Sequence, residues 1–382
     1  MEDRYFDQEH TMFRDAFRAF LKKEVVPNQE QWFEDGVVSR EIWLKAGEQG
    51  YLLPWVSEAY GGLGIKDFRY TQIEIEELMR IGETGFYLPL HSSLVAPYIY
   101  NFGNEEQKQR LLPDCISGQR ILAVAMTEPG VGSDLRGMKA SADERDDHWV
   151  LNGAKTFISN GLLADIVIVA AKTNSSDPSA VGLFVVERGM EGFERGRQLK
   201  KMGMQSQDTA ELFFSNVKIP KRNVLGDASK GFYYLMKGLA EERLIAACTN
   251  IASCQAAFDM TMDYIQERKA FGKTIGAFQN TRFKMAEMRT EIDIAQVYVD
   301  HCVTQLNQAA LTSASAAKIK LFSSELQGRV VDECVQLFGG YGYMQEYPIC
   351  RAYSDARITR IFGGTSEIMK EIIAKSIGLF ES

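Results

Sequence analysis

The sequence predicts an α+β protein in three successive parts: helices, then β-strands, then helices again. Apolar residues near the N-terminus recur at helical spacing, as at Phe13, Phe17 and Phe20. Short apolar runs separated by turn residues then occupy residues 120–228, and long helical stretches follow with no proline until Pro348. Because strands and helices do not alternate along the chain, this pattern argues against a doubly wound parallel sheet.

The first part, residues 1–119, is predicted to be an N-terminal α-helical domain. Ile73, Ile75 and Leu78 repeat the helical spacing, and the glycine-rich stretch 61–64 interrupts it as a loop.

The middle part, residues 120–228, is predicted to be a β domain with a barrel or sandwich architecture. Its evidence is several apolar runs at close spacing with turn residues such as Asn152-Gly153 between them. The runs lie at 121–126, 149–151, 165–170, 182–186 and 211–214.

The last part, residues 229–382, is predicted to be an α-helical domain arranged as a four-helix bundle. Long helices with one apolar face can bury that face only against each other when no strands are nearby.

Composition excludes several classes of function. The formal net charge of −8 repels nucleic acid and anionic membranes, both of which require a positive surface. Four isolated histidines and six scattered cysteines form none of the spacings that a zinc site requires, so we expect no metal. Because the cysteines are scattered, we expect reduced thiols and a reducing compartment. The N-terminus shows no targeting pattern, so we expect a cytosolic enzyme, or a matrix enzyme if the chain is a processed eukaryotic form.

Three motifs that would indicate other enzymes are incomplete. Gly272-Lys273-Thr274 resembles the end of a phosphate-binding loop, but Glu267 stands where the first glycine should be. Gly62-Leu63-Gly64 lacks the third glycine of a nicotinamide fingerprint. Ser133 lies in Gly-Val-Gly-Ser-Asp, which is not the nucleophile elbow of a hydrolase.

The segment 125–134, Ala-Met-Thr-Glu-Pro-Gly-Val-Gly-Ser-Asp, directly follows a predicted strand. Its glycines, backbone N–H groups and hydroxyls suit contact with a planar polar ring or a phosphate, although alone it would be an ordinary turn.

Six motifs in order make the chain resemble the acyl-CoA dehydrogenase family over essentially its whole length. They are the segment just described, Lys155–Gly161, Gly203–Phe214, Arg268–Lys273 with Phe278-Gln279, Gln336–Gly342, and Gly363–Ile368. The resemblance implies the helix–β–helix fold and the FAD-dependent oxidation of acyl-CoA thioesters to trans-2-enoyl-CoA, as in fatty acid β-oxidation.

The resemblance also implies which residues face the flavin ring of FAD. The loop that lies along the polar edge of the flavin ring is matched by Met126, Thr127 and Ser133, and Ser133 also matches a substrate contact. The remaining matches are Phe157 against the ring, with Ile158 and Ser159 beside it.

A second group matches the residues that bind the pyrophosphate and adenine of FAD across a subunit interface. This group implies a site built from two chains, with a dimer of dimers as the expected homotetramer. It comprises Arg268, Gln279, Gln336, Leu337, Phe338, Gly339 and Gly340, and the further FAD contacts are Thr365, Ser366 and Glu367.

The catalytic base departs from the commonest family pattern. Most members carry a glutamate at the position occupied here by Gly363, which cannot abstract a proton. The long-chain and isovaleryl members carry it instead on the first helix of the C-terminal domain, before an Arg-Leu pair. The match here is Glu242 before Arg243, in a context closest to the long-chain subgroup.

Helix geometry alone does not separate Glu242 from its neighbour Glu241. Adjacent helical residues point about 100° apart, so only one of the two can face the flavin. Glu242 shares a stripe with Leu239 and Ala246, whereas Glu241 shares one with Ile245. The resemblance selects Glu242 as the residue that takes the α-proton while the β-hydrogen leaves as hydride. Enclosure should raise its pKa toward ~6–7.

Substrate contacts are expected at Ser133, Tyr233, Arg243, Gly363 and Gly364, where the glycines leave room for a long or branched acyl chain. The alternatives are an isovaleryl-type short branched-chain enzyme, an acyl-CoA oxidase, a flavin monooxygenase and a non-catalytic binding relative. An electron-transferring flavoprotein is the expected electron acceptor.

Overall fold

A computed structural model of the chain describes residues 5–174, 177 and 179–379. Six α-helices are described in the N-terminal part, where the buried Phe17 and Trp43 anchor the core. Asp7 caps the first helix by accepting the N–H groups of Glu9 and His10, which are left unpaired at a helix start. The helices are α1 (Gln8–Phe20), α2 (Gln29–Asp35), α3 (Arg40–Glu48), α4 (Arg69–Arg80), α5 (Ala96–Phe102) and α6 (Glu105–Ile116).

The middle part is β-structured, which confirms the prediction, and its strands join in one seven-stranded sheet. The sheet has the order β1-β4-β2-β3-β7-β6, and β5 pairs with β4. The strands are β1 (Leu122–Ala125), β2 (Ser141–Glu144), β3 (His148–Ser159), β4 (Ile166–Lys172), β5 (Val181–Glu187), β6 (Phe193–Gln198) and β7 (Thr209–Pro220).

Strands β2 and β6 were not expected from the sequence. The segment Phe193–Gln198 reads Phe-Glu-Arg-Gly-Arg-Gln, which has no apolar alternation to reveal a strand. It becomes one because β7 offers it backbone partners, with Phe193 opposite Phe214 and Gln198 opposite Ala210.

The C-terminal part is helical, as predicted, and its longest helix links the other parts of the molecule. That helix, α7, packs along α9 and also against α4 of the N-terminal part. The helices are α7 (Gly231–Glu267), α8 (Gln279–Asn307), α9 (Ser313–Phe338), α10 (Pro348–Ala356) and α11 (Ser366–Ser376), and a short hairpin, β8 (Lys269–Ala270) and β9 (Lys273–Thr274), joins α7 to α8.

Element ends lie close to the predicted domain limits at 119/120 and 228/229, which remain a prediction. In the described part of the chain no helix is long and apolar enough to cross a membrane. The same residues contain no cluster of three or more His, Cys, Asp or Glu side chains that could hold a metal ion. Residues 1–4, part of the N-terminus considered above, lie outside the description.

Candidate active site

Helix α7 brings the side chain of Glu242 to the Gly363–Gly364 turn that precedes α11. A Cβ atom on Gly363 would lie 3.7 Å from Glu242 Oε1, which is an ordinary van der Waals distance. Both glycines have positive φ angles, +62° at Gly363 and +102° at Gly364, a conformation that glycine adopts without a Cβ penalty. The backbone of the turn therefore lies directly beside the carboxylate.

Burial disfavours the ionised form of both candidate bases. It raises the pKa of Glu242, while the positive charges of Arg243 and Lys320 act in the opposite direction. Burial also raises the pKa of Glu241, to about 7. The pKa is shifted in the same direction at both residues, so the electrostatics does not distinguish between them.

Position separates the two glutamates where electrostatics does not. The carboxylate of Glu242 is the one that lies beside the position a side chain on Gly363 would occupy. Tyr98, on α5, lies near both glutamates. Burial is the main cause that raises the pKa of Tyr98, and the negative charges of Glu242 and, to a smaller extent, Glu241 raise it further. The Tyr98 hydroxyl would also lie 3.4 Å from a Cβ on Gly238, one helical turn before Glu242. Tyr98 and Gly238 therefore lie close to the Glu242 carboxylate.

Arg243 points into the protein. Its side chain is buried, and Nη1 donates to Ser313 Oγ at 3.3 Å, at the start of α9. Its Nε is buried without a hydrogen-bond partner among the described residues. Tyr233, the other expected substrate contact on α7, is 61% exposed and therefore accessible to a ligand.

A β-bulge turns Phe157 outward from the sheet. Pairing between β3 and β7 shifts by one residue between Lys155 and Ile158, and Phe157 has a φ of +60°. A bulge re-aims side chains and increases the local twist. As a result the Phe157 ring is 68% exposed at the face where the flavin ring was expected, whereas Ile158 is buried in the core.

A buried ion pair connects this strand to the loop at 126–134. Lys155 Nζ donates to Met126 O at 3.0 Å and to Glu128 Oε1 at 2.9 Å. Glu128 also accepts the backbone N–H groups of Lys139 and Ala140. Thr127 joins the same strand through its carbonyl, which accepts the Thr156 N–H at 3.0 Å. The two segments expected at the flavin are thus held as one rigid unit.

The third motif supports the end of the same strand. Asp208 accepts the Leu162 N–H at 2.7 Å, and its carbonyl accepts the N–H of Asn160. The motifs that begin at Lys155 and Gly203 are therefore neighbours in space, although about 45 residues separate them along the chain.

These surroundings fit a flavin. An exposed aromatic face at Phe157, the half-buried hydroxyls of Thr127 and Ser159, and the exposed Ser133 offer one apolar plane with polar groups around it. The backbone that carries them is rigid, as a cofactor site requires.

At the other end of α7, Arg268 lies near the segment 336–341, which contains most of the predicted pyrophosphate-binding group. Arg268, which follows the last residue of α7, places its guanidinium 5.5 Å from the Tyr341 ring centroid. The ring of Tyr264 stacks on Phe338 at 4.0 Å, which fixes the segment before Gly339. Most of the group is solvent-exposed: Arg268, Gln279, Gln336, Gly339 and Gly340, with Leu337 half-buried and Phe338 buried.

Helix α7 keeps this second group away from Glu242. Continuous helix runs from Glu242 to Glu267, and these 25 residue-to-residue steps span roughly 37 Å at 1.5 Å each. Within one chain the base and Arg268 therefore lie further apart than the two ends of one dinucleotide.

The closing motif is largely occupied by contacts within the chain. Thr365 caps α11 by accepting the Ile368 N–H at 3.3 Å, and Ser366 donates to Glu325 Oε1 at 2.8 Å. Ser366 is buried, whereas Glu367 is exposed. Among the three predicted FAD contacts in this motif, Glu367 thus has the side chain most open to a ligand.

The sequence predicted no role for Lys155, Glu128 or Lys320. All three are buried charged residues, and the first two lie inside motifs whose other residues match the flavin site. The sequence signal for Lys320 is its spacing of four residues from Ala316 and Ser324, which places it on one helical stripe with two small residues.

Family sequence models match nearly the whole chain. They are described as "Acyl-CoA dehydrogenase, N-terminal domain" at residues 7–119, "middle domain" at 123–217 and "C-terminal domain" at 229–378.

Individual proteins match over the same length. Long-chain specific acyl-CoA dehydrogenase, mitochondrial, of Mus musculus is 48% identical over 98% of this chain and 87% of its own. Isovaleryl-CoA dehydrogenase, mitochondrial, of Pongo abelii is 36% identical over 97% of this chain and 88% of its own. The crystal structure of an acyl-CoA dehydrogenase from Geobacillus kaustophilus superposes with a TM-score of 0.96 at 45% identity, covering 98% of this chain and 100% of that one.

Proposed function

The chain belongs to the acyl-CoA dehydrogenase family, and from this premise we propose that it oxidises long-chain acyl-CoA with Glu242 as the catalytic base. It is an acyl-CoA dehydrogenase, an oxidoreductase that acts on the CH–CH group of acyl-CoA and carries a flavin cofactor. The family prediction made from the motifs is therefore confirmed.

One observation carries the assignment of the base. The carboxylate of Glu242 lies 3.7 Å from the point where a side chain on Gly363 would begin. Position 363 is where most family members carry their glutamate. A residue on α7 thus delivers a carboxylate to the place that the closing loop serves in those members.

Removal of the α-proton requires a positioned carboxylate with little water around it. Glu242 accepts the proton from the α-carbon through its carboxylate, and the electron pair left behind forms the new Cα–Cβ double bond. When bound, the flavin supplies the acceptor for the hydride that leaves the β-carbon. Backbone N–H groups of the Gly363 turn are available to the thioester carbonyl oxygen, where negative charge develops.

The surroundings of Glu242 suit this role. Burial raises the pKa of Glu242 and so favours its protonated form, whereas the positive charges of Arg243 and Lys320 favour the carboxylate. This balance fits a base that must be ionised at the start of the reaction and neutral at its end.

We assign FAD as the flavin, held by two chains. The group around Arg268 lies roughly 37 Å along α7 from Glu242, too far to serve the same cofactor in one chain. The exposure of Arg268 and Gln336 fits binding of a neighbouring subunit's dinucleotide, and a bidentate guanidinium suits its pyrophosphate. A homodimer is then the smallest active form, and a dimer of dimers is the proposed assembly.

Long-chain acyl groups are the proposed substrates. Identity to the long-chain enzyme, 48%, exceeds identity to the isovaleryl enzyme, 36%. Gly363 and Gly364 add no side chain beside the carboxylate, which leaves room for a long or branched chain. An electron-transferring flavoprotein is the proposed electron acceptor, and a reducing compartment fits the six free cysteines.

Anaerobic bleaching of the flavin tests the base. Acyl-CoA thioesters of increasing length are added to the holoenzyme, and loss of visible absorbance is followed in the wild type, Glu242→Gln and Glu241→Gln. We expect Glu242→Gln to slow bleaching by at least about a hundredfold, since general bases contribute 10²–10⁴-fold. Glu241→Gln is the matched control and should bleach at nearly the wild-type rate.

Two outcomes would contradict the proposal. Normal bleaching in Glu242→Gln would remove the residue from the mechanism. A wild-type enzyme with a clear preference for butyryl-CoA over long thioesters would overturn the substrate assignment while leaving the base untouched.

A further inference from the structure

Lys320, on α9, is a lysine whose side chain lies wholly inside the protein. It is among the largest fully buried side chains of the described residues, with 0% exposure. A buried ammonium group is costly unless it is paired and hydrogen-bonded, so its position calls for a partner.

One partner of Lys320 is the turn beside the base. Its Nζ donates to the carbonyl oxygen of Gly364 at 2.5 Å. Gly364 follows Gly363, the residue whose Cβ position lies 3.7 Å from Glu242 Oε1. Both glycines have positive φ angles and lack side chains that could hold the turn, so a hydrogen bond from α9 restricts a flexible backbone.

The charge of Lys320 acts on the same site. Burial and the positive charge of Arg243 together lower the pKa of Lys320 to about 8, against the opposing effect of the negative charges of Glu242, Glu325 and Glu367. In return Lys320 and Arg243 hold down the pKa of Glu242, which burial raises. The charged or titratable groups around this pair on the neighbouring elements are Tyr98, Glu241, Arg243, Glu325, Arg360 and Glu367.

We propose that Lys320 is a positioning residue for the dehydrogenation, which holds the Gly363–Gly364 turn and places a positive charge near the Glu242 carboxylate. The inference rests on the proposed function, since it assigns Lys320 a role through Glu242. Lys320 keeps the base ionised at a lower pH than burial alone would allow. It also fixes the backbone whose N–H groups are proposed to bond the thioester carbonyl.

Three substitutions separate charge from hydrogen bonding. Lys320→Met removes both, Lys320→Gln can keep a donor without the charge, and Lys320→Arg keeps the charge. Lys318→Met is the matched control, because Lys318 is exposed on the same helix. The rate of anaerobic flavin bleaching by a long-chain acyl-CoA is measured as a function of pH for each holoenzyme.

We expect the acid limb of the pH profile to move up by about one pH unit in Lys320→Met and Lys320→Gln, as loss of a nearby charge predicts. Lys320→Arg and Lys318→Met should keep the wild-type limb. In Lys320→Met the plateau rate should also fall, by on the order of tenfold, because the turn is released.

An acid limb at the wild-type pH in both neutral variants would overturn the proposal, since a purely structural lysine would lower the rate without moving the limb. If Lys320→Met does not fold, Lys320→Gln is compared with Lys320→Arg. Acid limbs at different pH values in these two variants support the role of charge, and acid limbs at the same pH overturn it. Bleaching that persists in Glu242→Gln marks failure of the proposed function instead, independently of Lys320.

Discussion

Glu241 and Glu242 show how two adjacent, identical side chains acquire different roles. Both are half-buried on α7, and burial raises the pKa of both. Only the direction in which each points differs, and the Gly363 turn lies on the side of Glu242.

The raised pKa of Glu241 predicts a pH-dependent cost to stability. Its pKa is about 7 in the folded protein, above the ordinary value of 4.5. The folded state therefore favours the protonated acid, and its stability should decrease as pH rises through that range to about 7. We expect Glu241→Gln to unfold at a higher denaturant concentration than the wild type at pH 8, with little difference at pH 4.5.

The comparison is made by chemical denaturation of the holoenzymes at both pH values. An equal difference between wild type and variant at the two pH values would show that the carboxyl group is not responsible.

Gly363→Ala tests the space and the backbone of the turn. A methyl group would meet Glu242 Oε1 at 3.7 Å without a clash, but the φ of +62° disfavours any L-residue. We expect a loss of about 1 kcal/mol in unfolding free energy. We also expect a lower kcat/KM for long acyl chains because the methyl group stands beside the carboxylate.

Gly64→Ala is the control for this change. Gly64 has a similar φ of +68°, and a Cβ there would meet nothing within 4 Å. It should cost similar stability while leaving kcat/KM unchanged, whereas a parallel loss of activity would show that Gly363→Ala acts through stability alone.

At the scale of elements, strand β3 and the loop before it act as one support. The bulge turns the ring of Phe157 outward from the sheet, and the buried Lys155–Glu128 ion pair attaches the loop at 126–134 to β3. Since buried ionic pairs are costly to break from one side, this connection is sensitive to single substitutions.

Lys155→Met should destabilise the protein by about 3–5 kcal/mol, because it leaves the Glu128 carboxylate buried and uncompensated. It should also weaken flavin retention, since Met126 and Thr127 lose their attachment to β3. Equilibrium unfolding and the flavin content of purified protein measure the two effects.

The matched control is Lys221→Met, which breaks the exposed ion pair with Glu144. Exposed pairs contribute about 1 kcal/mol or less, so little change is expected. Equal effects of the two substitutions would mean that the buried pair has no special role.

At the scale of the whole molecule, the length of α7 separates the base, Glu242, from Arg268 within one chain.

An apolar groove of about 560 Å³, lined by residues such as Ile294, Phe322 and Ile373, runs between α8, α9 and α11. Ile294, which lines the groove, and the nearby Val297 are both exposed, and this apolar surface is consistent with the assembly proposed above.

Subunit complementation tests the two-chain site. Glu242→Gln and Arg268→Ala chains should each be inactive alone, since one lacks the base and the other an FAD contact. If one chain supplies Glu242 and its neighbour supplies Arg268, a hybrid dimer contains one site with neither substitution. Random reassociation should restore about a quarter of the wild-type sites, measured as bleaching activity.

Each variant refolded alone with FAD is the control. Sites built within one chain would remain inactive in every mixture, and that result would contradict the two-chain arrangement.

The sequence by itself determined the features that depend on local pattern. Helical spacing around Phe13 and Phe17, and apolar runs such as 165–170, predicted the helix–β–helix order. The ordered motifs predicted the family, and through that resemblance the absence of a side chain at Gly363 predicted Glu242 as the base.

Only the tertiary structure decided what depends on partners distant in the chain. It joined the polar segment Phe193–Gln198 to a single sheet, placed the Glu242 carboxylate beside Gly363, and buried Lys320 against Gly364. Periodicity reports which face of an element is apolar, but the burial of a charge depends on the groups that long-range packing brings around it.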